Sequence, residues 1–189
     1  MSIATQRHTY QDLLQTPDDG KRYEIIDGEL FVSASPAKPH VWLTNAWTFW
    51  LTGHVKESDL GEVYHAPVDV KFNDENTVVP DIIFIRKDRL HIFNRANVSA
   101  GSDLVVEALS PSTRDIDLHA MFDLYARMGV PEYWIADPAV PDLSIYVLTT
   151  QGTYERVRPE GGRLRSIVLP NLDIDLASIF VGLPELGEE

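Results

Sequence analysis

The sequence predicts an α/β (α+β) fold, a mixed central sheet flanked by helices and closed by a C-terminal β-meander. Three features carry this expectation. Short β-like runs alternate with two long helix-like stretches. The run Leu104 to Leu109 is apolar except for one acid, the pattern of a strand covered on both faces. Beyond residue 142, three β-like runs are separated by Gly152 and by Gly161-Gly162. A chain of 189 residues, 44% of them hydrophobic, can bury one sizeable core and little more. Residues 1–189 are therefore expected to form one domain, with an N-terminal helical extension over 1–20 and an acidic tail over 181–189.

The elements follow in order. Thr9 to Gln15 reads as a short helix capped by Thr9 and broken at Pro17-Asp18-Asp19-Gly20. Tyr23 to Ile26 and Glu29 to Ser33 flank Asp27-Gly28, a two-residue hairpin signal. Pro39 to about Glu57 is expected to be a helix, with apolar residues at three- and four-residue spacing from Val41 to Leu51. Gly61 to Phe72, Pro80 to Arg86 and Asp103 to Leu109 are β-like. Ser110-Pro111-Ser112-Thr113 opens a helix that Gly129 ends. Glu132 to Ala136 is a strand, and Leu143–Leu148, Thr153–Arg158 and Leu164–Leu169 complete the meander. Trp42, Trp47 and Trp50 share the first long helix, where their spacing suits core and interface better than base stacking.

The composition excludes several functional classes. There is no cysteine, so no disulfide and no thiolate metal site, which fits a reducing cytoplasm. The histidines show no zinc-ligand spacing. No stretch approaches the roughly 20 apolar residues of a membrane span, and the N-terminus lacks the pattern of a secretory signal. A net charge of −13 argues against a broad basic surface for nucleic acid. It leaves room for an enzyme that meets a phosphodiester in a small metal-loaded cleft, because a bound cation inverts the local sign.

Glu107 is the most informative residue. A lone carboxylate in an apolar strand is costly unless paired, neutralised or bound to a metal. Taken alone it reads more simply as a strand-end acid facing solvent or an arginine. Asp81 alters that balance, because Pro80-Asp81 opens the strand Ile82 to Ile85 and the two strands can be neighbours. At ~4 Å and an effective dielectric of 20, two carboxylates repel by about 4 kcal/mol. A raised pKa or a divalent cation relieves this, and Mg²⁺ accepts one or two carboxylates with waters and phosphate oxygens. Glu24, on the Tyr23–Ile26 strand, is either a third functional acid or a solvent-facing residue.

Five segments together resemble the Uma-type restriction-endonuclease family. They are Tyr23-Glu24-Ile25-Ile26-Asp27-Gly28-Glu29-Leu30, Ala66-Pro67-Val68-Asp69-Val70, Pro80-Asp81-Ile82, Asp103 to Arg114 (DLVVEALSPSTR), and Gly129 to Pro138 (GVPEYWIADP). The resemblance runs from about Tyr10 to Phe180. It implies a restriction-endonuclease-like, PD-(D/E)XK nuclease fold that hydrolyses phosphodiester bonds of DNA with Mg²⁺ or Mn²⁺. It implies Asp81 and Glu107 as metal ligands, the Ala108 carbonyl as a further ligand, and Glu24 as the upstream acid. His40, Asp69 and Asp117 are implied as supporting groups. His40 alternatively reads as an exposed helix-end histidine, and Asp69 as a turn cap. A homodimer would supply two matched sites.

The chain departs from this pattern at one point. Leu109 stands where the family fold usually has a lysine, and Met121 stands at the alternative position on the following helix; no lysine follows Lys87. Arg114 is the candidate substitute, sharing a helical face with Asp117, Met121, Leu124, Tyr125 and Met128 at α-helical spacing. Two alternatives to an active endonuclease remain: a catalytically silent member serving as a binding or assembly module, and an unrelated α/β ligand-binding domain.

Overall fold

The Asp27-Gly28 turn has both residues at positive φ, 51° and 76°, which matches the twist of the strands that it joins. Strands β1 (Arg22–Ile26) and β2 (Glu29–Ser33) pair antiparallel across it. In this computed structural model, which describes residues 7–140 and 142–184, they belong to a four-stranded sheet. Its order is β2-β1-β5-β4, with β4 at Val70–Asn73 and β5 at Asn76–Val78. A short helix, α1 (Tyr10–Leu13), follows Thr9 and packs Tyr10 and Leu13 against Ile25. Residues 1–6 of the expected N-terminal extension and 185–189 of the expected acidic tail lie outside the described residues.

The second sheet has six strands in the order β10-β9-β8-β7-β6-β3. In chain order these are β3 (Gly61–His65), β6 (Ile82–Arg86), β7 (Leu104–Ala108), β8 (Glu132–Asp137), β9 (Asp142–Leu148) and β10 (Tyr154–Val157). Only β7 and β8 run parallel, so the sheet is mixed. The crossover between those two carries a helical segment, the connection that a parallel pair requires.

Alternation along the strands divides the core in two. Ile82, Phe84, Leu104, Val106 and Trp134 face helix α2 (Lys38–Glu57). That helix meets them with Leu43, Trp47, Leu51 and Val55, one residue per turn, each at most 1% exposed. Burying each such side chain contributes about 1.5–3 kcal/mol. The rings of Trp47 and Trp134 meet edge-on at 5.5 Å, while Trp50 remains 41% exposed. On the opposite face, Ile83, Ile85, Val105, Tyr133 and Ile135 pack on α3 (Met121–Arg127) through Met121, Leu124 and Tyr125. Gly129, at φ 76°, ends that helical segment.

Three sequence expectations need correction. Gly61 to Phe72 is not one strand: the chain turns at Ala66-Pro67, and β3 and β4 join different sheets. Pro67 has no N–H to continue a ladder. The helix after Thr113 is irregular, with a π-helical turn at Ile116–Ala120 before α3. The meander is β8-β9-β10, without a strand at Leu164–Leu169. There, β11 (Arg163–Leu164) pairs instead with β12 (Ile174–Asp175), ahead of α4 (Leu176–Phe180). The amides of Ile167 and Val168 are unavailable for a ladder because both donate to the buried Glu132 carboxylate, at 3.1 and 3.3 Å.

Candidate active site

The register of β6 against β7 pairs Ile82 with Val106, so Asp81 and Glu107 stand opposite at the next step. Both are 3% exposed, Glu107 reaching α3 through Tyr125 and Asp81 reaching the first turn of α2 through His40. They hold one another's strand ends. The Asp81 amide donates to Glu107 Oε2 at 3.0 Å, and the Ala108 amide donates to Asp81 Oδ2 at 2.9 Å.

Glu24 enters from the other sheet. It is 5% exposed in the middle of β1, and its Oε1 accepts the Val79 amide at 2.8 Å. This bond ties β1 to the residues just before Pro80-Asp81. Arg22 lies two residues before Glu24, on the same face of the strand. Its Nη2 donates to Asp81 Oδ1 at 2.7 Å. His40, in the first turn of α2, places Nε2 2.8 Å from Asp81 Oδ2, and its buried Nδ1 has no partner among the described residues. Tyr125 of α3 donates its hydroxyl to Glu107 Oε1 at 2.9 Å. Asp117, in the π turn, is 6% exposed and close enough to raise the pKa of Glu107.

Several carboxyl groups thus face one guanidinium, and their proton affinities diverge accordingly. Burial pushes Asp81 up, but the His40 hydrogen bond and the Arg22 charge outweigh it and hold Asp81 below the usual range. Burial, then the charges of Asp81 and Asp117, drive Glu107 well above that range. Burial raises Glu24 to about 7, against the opposing pull of Arg22 and the Val79 amide. Burial also raises Asp117 to about 7, against a hydrogen bond from Thr113. One carboxylate is therefore ionised near neutrality, while its neighbours retain protons or titrate there.

The donor set suits a hard divalent cation only in part. Among the described residues no three His, Asp or Glu side chains converge as a metal cluster. What the site offers is Asp81 and Glu107. Asp81 Oδ1 and both Glu107 oxygens accept one hydrogen bond each, leaving each a free lone pair. Two carboxylates completed by waters and phosphate oxygens satisfy Mg²⁺. The surplus of partly protonated acid is what a cation would neutralise.

Two clefts adjoin this cluster, and Arg22, Pro36 and Ala66 line both; of the clustered acids Asp81 lines the smaller one, and Glu24, Glu107 and Asp117 line neither. One, about 190 Å³, is bordered by His40, Asp81 and Thr44. The other, about 560 Å³, is bordered by Asp18, Tyr23 and Asp69. Asp69 accordingly stands beside the acids and not among them; its Oδ2 accepts the Tyr10 hydroxyl at 3.4 Å.

Arg114 does not join the cluster: its Nη1 pairs with Asp137 Oδ2 at 2.8 Å, and its side chain is 48% exposed. The π turn explains this. An extra residue in one turn rotates what precedes it by roughly 100° relative to α3, so Arg114 leaves the face shared by Met121 and Tyr125. Met121 is 2% exposed in the core, between Asp117 and Tyr125 in sequence. The cation beside the acids is Arg22, which sequence reasoning overlooked. Strand alternation was the available signal, since it places residues 22 and 24 on one side.

Comparison with known proteins agrees with this architecture. The profile of the Uma2 family, described as "putative restriction endonuclease", matches residues 10–177. A crystal structure from Anabaena variabilis, described as a putative nuclease belonging to DUF820, superposes with a TM-score of 0.76 at 17% identity. The match covers 93% of this chain and 99% of that one, and at this identity the likeness concerns the fold. No curated protein matches the chain.

Proposed function

Because the chain belongs to the Uma2 family of putative restriction endonucleases, we propose that it is a Mg²⁺- or Mn²⁺-dependent DNA endonuclease. Its metal ligands in this reading are Asp81 and Glu107, with Glu24 as auxiliary acid. The observation that carries the reading is the opposition of Asp81 and Glu107 across β6 and β7, amid more carboxyl groups than Arg22 can neutralise.

When bound there, a divalent cation would lower the pKa of a coordinated water and offset charge on the scissile phosphate. The chain's own groups do the rest. His40 and the Ala108 amide orient Asp81, and Tyr125 orients Glu107. A water adding to phosphorus forms one P–O bond as the bond to the leaving oxygen breaks, and this reading assigns its proton to Glu24 or Asp117, the buried acids near Asp81 and Glu107 that titrate at about 7. A net charge of −13 argues against a broad basic surface, so in this reading contact with DNA depends on the cation bound in the cleft. No helix among the described residues is long and apolar enough to cross a membrane. The reading takes the chain as one cytoplasmic domain that can act as a homodimer on the two strands of a duplex.

One observation favours a second reading, a catalytically silent binding or assembly module: Met121 is buried where the resemblance implies a lysine. Calorimetric titration with Mn²⁺, beside plasmid nicking, separates the two. The native protein is expected to bind Mn²⁺ and nick DNA, and Asp81→Asn and Glu107→Gln to lose both. Binding without nicking supports the silent module, and unchanged binding in both variants rejects the two-carboxylate site.

A further inference from the structure

We infer that Arg22 is a displaceable internal counter-ion, which neutralises Asp81 until a divalent cation enters and then turns into the adjoining cleft toward Asp69. This rests on the two-carboxylate reading above and adds the residue that controls access to it.

Four features support the exchange. Arg22 holds Asp81 through one nitrogen on one oxygen, Nη2 to Oδ1, and not through the two-pronged fork that makes arginine–carboxylate pairs strong. The other Asp81 oxygen is held separately by His40 and the Ala108 amide, so the carboxylate keeps its place when the guanidinium leaves. The Arg22 side chain is 22% exposed against 3% for Asp81, so it approaches from the open side. Finally, Arg22 lies in the wall common to both clefts, and the larger one contains Asp69, whose hydrogen bond from Tyr10 is long at 3.4 Å. A guanidinium moving that way meets a new carboxylate and leaves Oδ1 free. Arg22 is anchored by the pairing of β1 with β2 from Arg22 to Ile26, so the proposed exchange is a movement of its side chain.

The reason for exchange, as opposed to coexistence, is charge. A guanidinium and a divalent cation competing for one carboxylate oxygen repel each other, and water screens poorly inside a buried cluster. In the absence of metal the arginine spares the fold a set of unneutralised acids. In the presence of metal it leaves a coordination position open.

The test is Mn²⁺ binding by titration calorimetry, joined to arginine-specific labelling with phenylglyoxal and peptide mapping. Arg22→Gln is expected to bind Mn²⁺ about tenfold more tightly than the native protein, because the competing charge is gone. In the native protein, Arg22 is expected to become more reactive toward phenylglyoxal when Mn²⁺ is saturating. The labelling needs no variant, so it decides the matter even if Arg22→Gln fails to fold. Unchanged labelling of Arg22 on Mn²⁺ saturation overturns the exchange, as does a folded Arg22→Gln protein that binds Mn²⁺ no more tightly. In those cases native binding that is lost in Asp81→Asn leaves the two-carboxylate reading standing. Absence of Mn²⁺ binding in both native and Arg22→Gln proteins overturns both.

Discussion

Glu107 Oε2 accepts the backbone amide of Asp81 at 3.0 Å, so each of the two acids occupies the strand end that the other one organises. Their partners nevertheless differ, and this separates two substitutions that the sequence treats alike. Asp81→Ala strips the counter-ion from Arg22, the acceptor from His40 and the acceptor from the Ala108 amide. It should cost about 3 kcal/mol in urea unfolding, as when one partner of a buried pair is removed. Glu107→Gln should stay within about 1 kcal/mol of native, because its amide can still accept from Asp81 and donate to the Tyr125 hydroxyl. Equal losses in the two variants would make Glu107 a structural partner.

Stability should depend on pH in a definite direction. The folded-state pKa values of Glu24 and Asp117, about 7, lie above the ordinary 4.5 and 3.8. The native state therefore holds more protons between those limits. The contribution of these groups is fully present below the ordinary values and is lost as pH rises through about 7. In metal-free buffer the Tm should fall between about pH 5 and about pH 8, and less steeply in Glu24→Gln. Saturating Mn²⁺ should flatten the fall, since it binds the ionised acids. A Tm that rises over this window contradicts the assignment.

Met121→Lys tests the face of α3 that meets Glu107. Asp117 lies one turn before Met121, and Tyr125, bonded to Glu107, lies one turn after. A lysine there should find carboxylates, keep the Tm within a few degrees and increase metal-dependent nicking. A loss of several kcal/mol with no added nicking would mark the position as ordinary core.

Arg114→Ala should leave Mn²⁺ affinity unchanged. The residue pairs with Asp137, away from the acids, and its side chain is 48% exposed. Breaking such a pair should cost about 0.5 kcal/mol or less. A tenfold loss of Mn²⁺ affinity would place Arg114 at the site after all.

Glu132 is a structural counterpart to the site acids. It is fully buried at the start of β8 and accepts from Trp134 Nε1, the Ser166 hydroxyl and the amides of Ile167 and Val168. Glu132→Ala should cost about 3 kcal/mol, by leaving buried donors unpaired. It should also raise amide exchange at residues 166–169. Retained protection there would show that the apolar contacts of Leu164 and Leu169 anchor this segment unaided.

Local signals were enough for much of the architecture. The Asp27-Gly28 hairpin, the long helix from Lys38 and the apolar Leu104–Ala108 strand all follow from turn chemistry and periodicity, which act within a few residues. So did the suspicion attached to Glu107, because an acid in an apolar strand needs a reason wherever that strand lies. Long-range decisions were another matter. Whether Gly61 to Phe72 feeds one sheet or two depended on what each half could pair with. Whether Leu164–Leu169 became a strand depended on Glu132 claiming its amides first. A π turn moved Arg114 off the face that α-helical spacing assigned to it. The cation opposite Asp81 came from Arg22, 59 residues away in the chain, on a strand of the other sheet whose Glu24 also holds the Val79 amide just ahead of Pro80-Asp81. Periodicity tells which way a side chain points from its own strand. Only the packing of one sheet against another determines which charge it meets there, because electrostatic partners are chosen by distance in space.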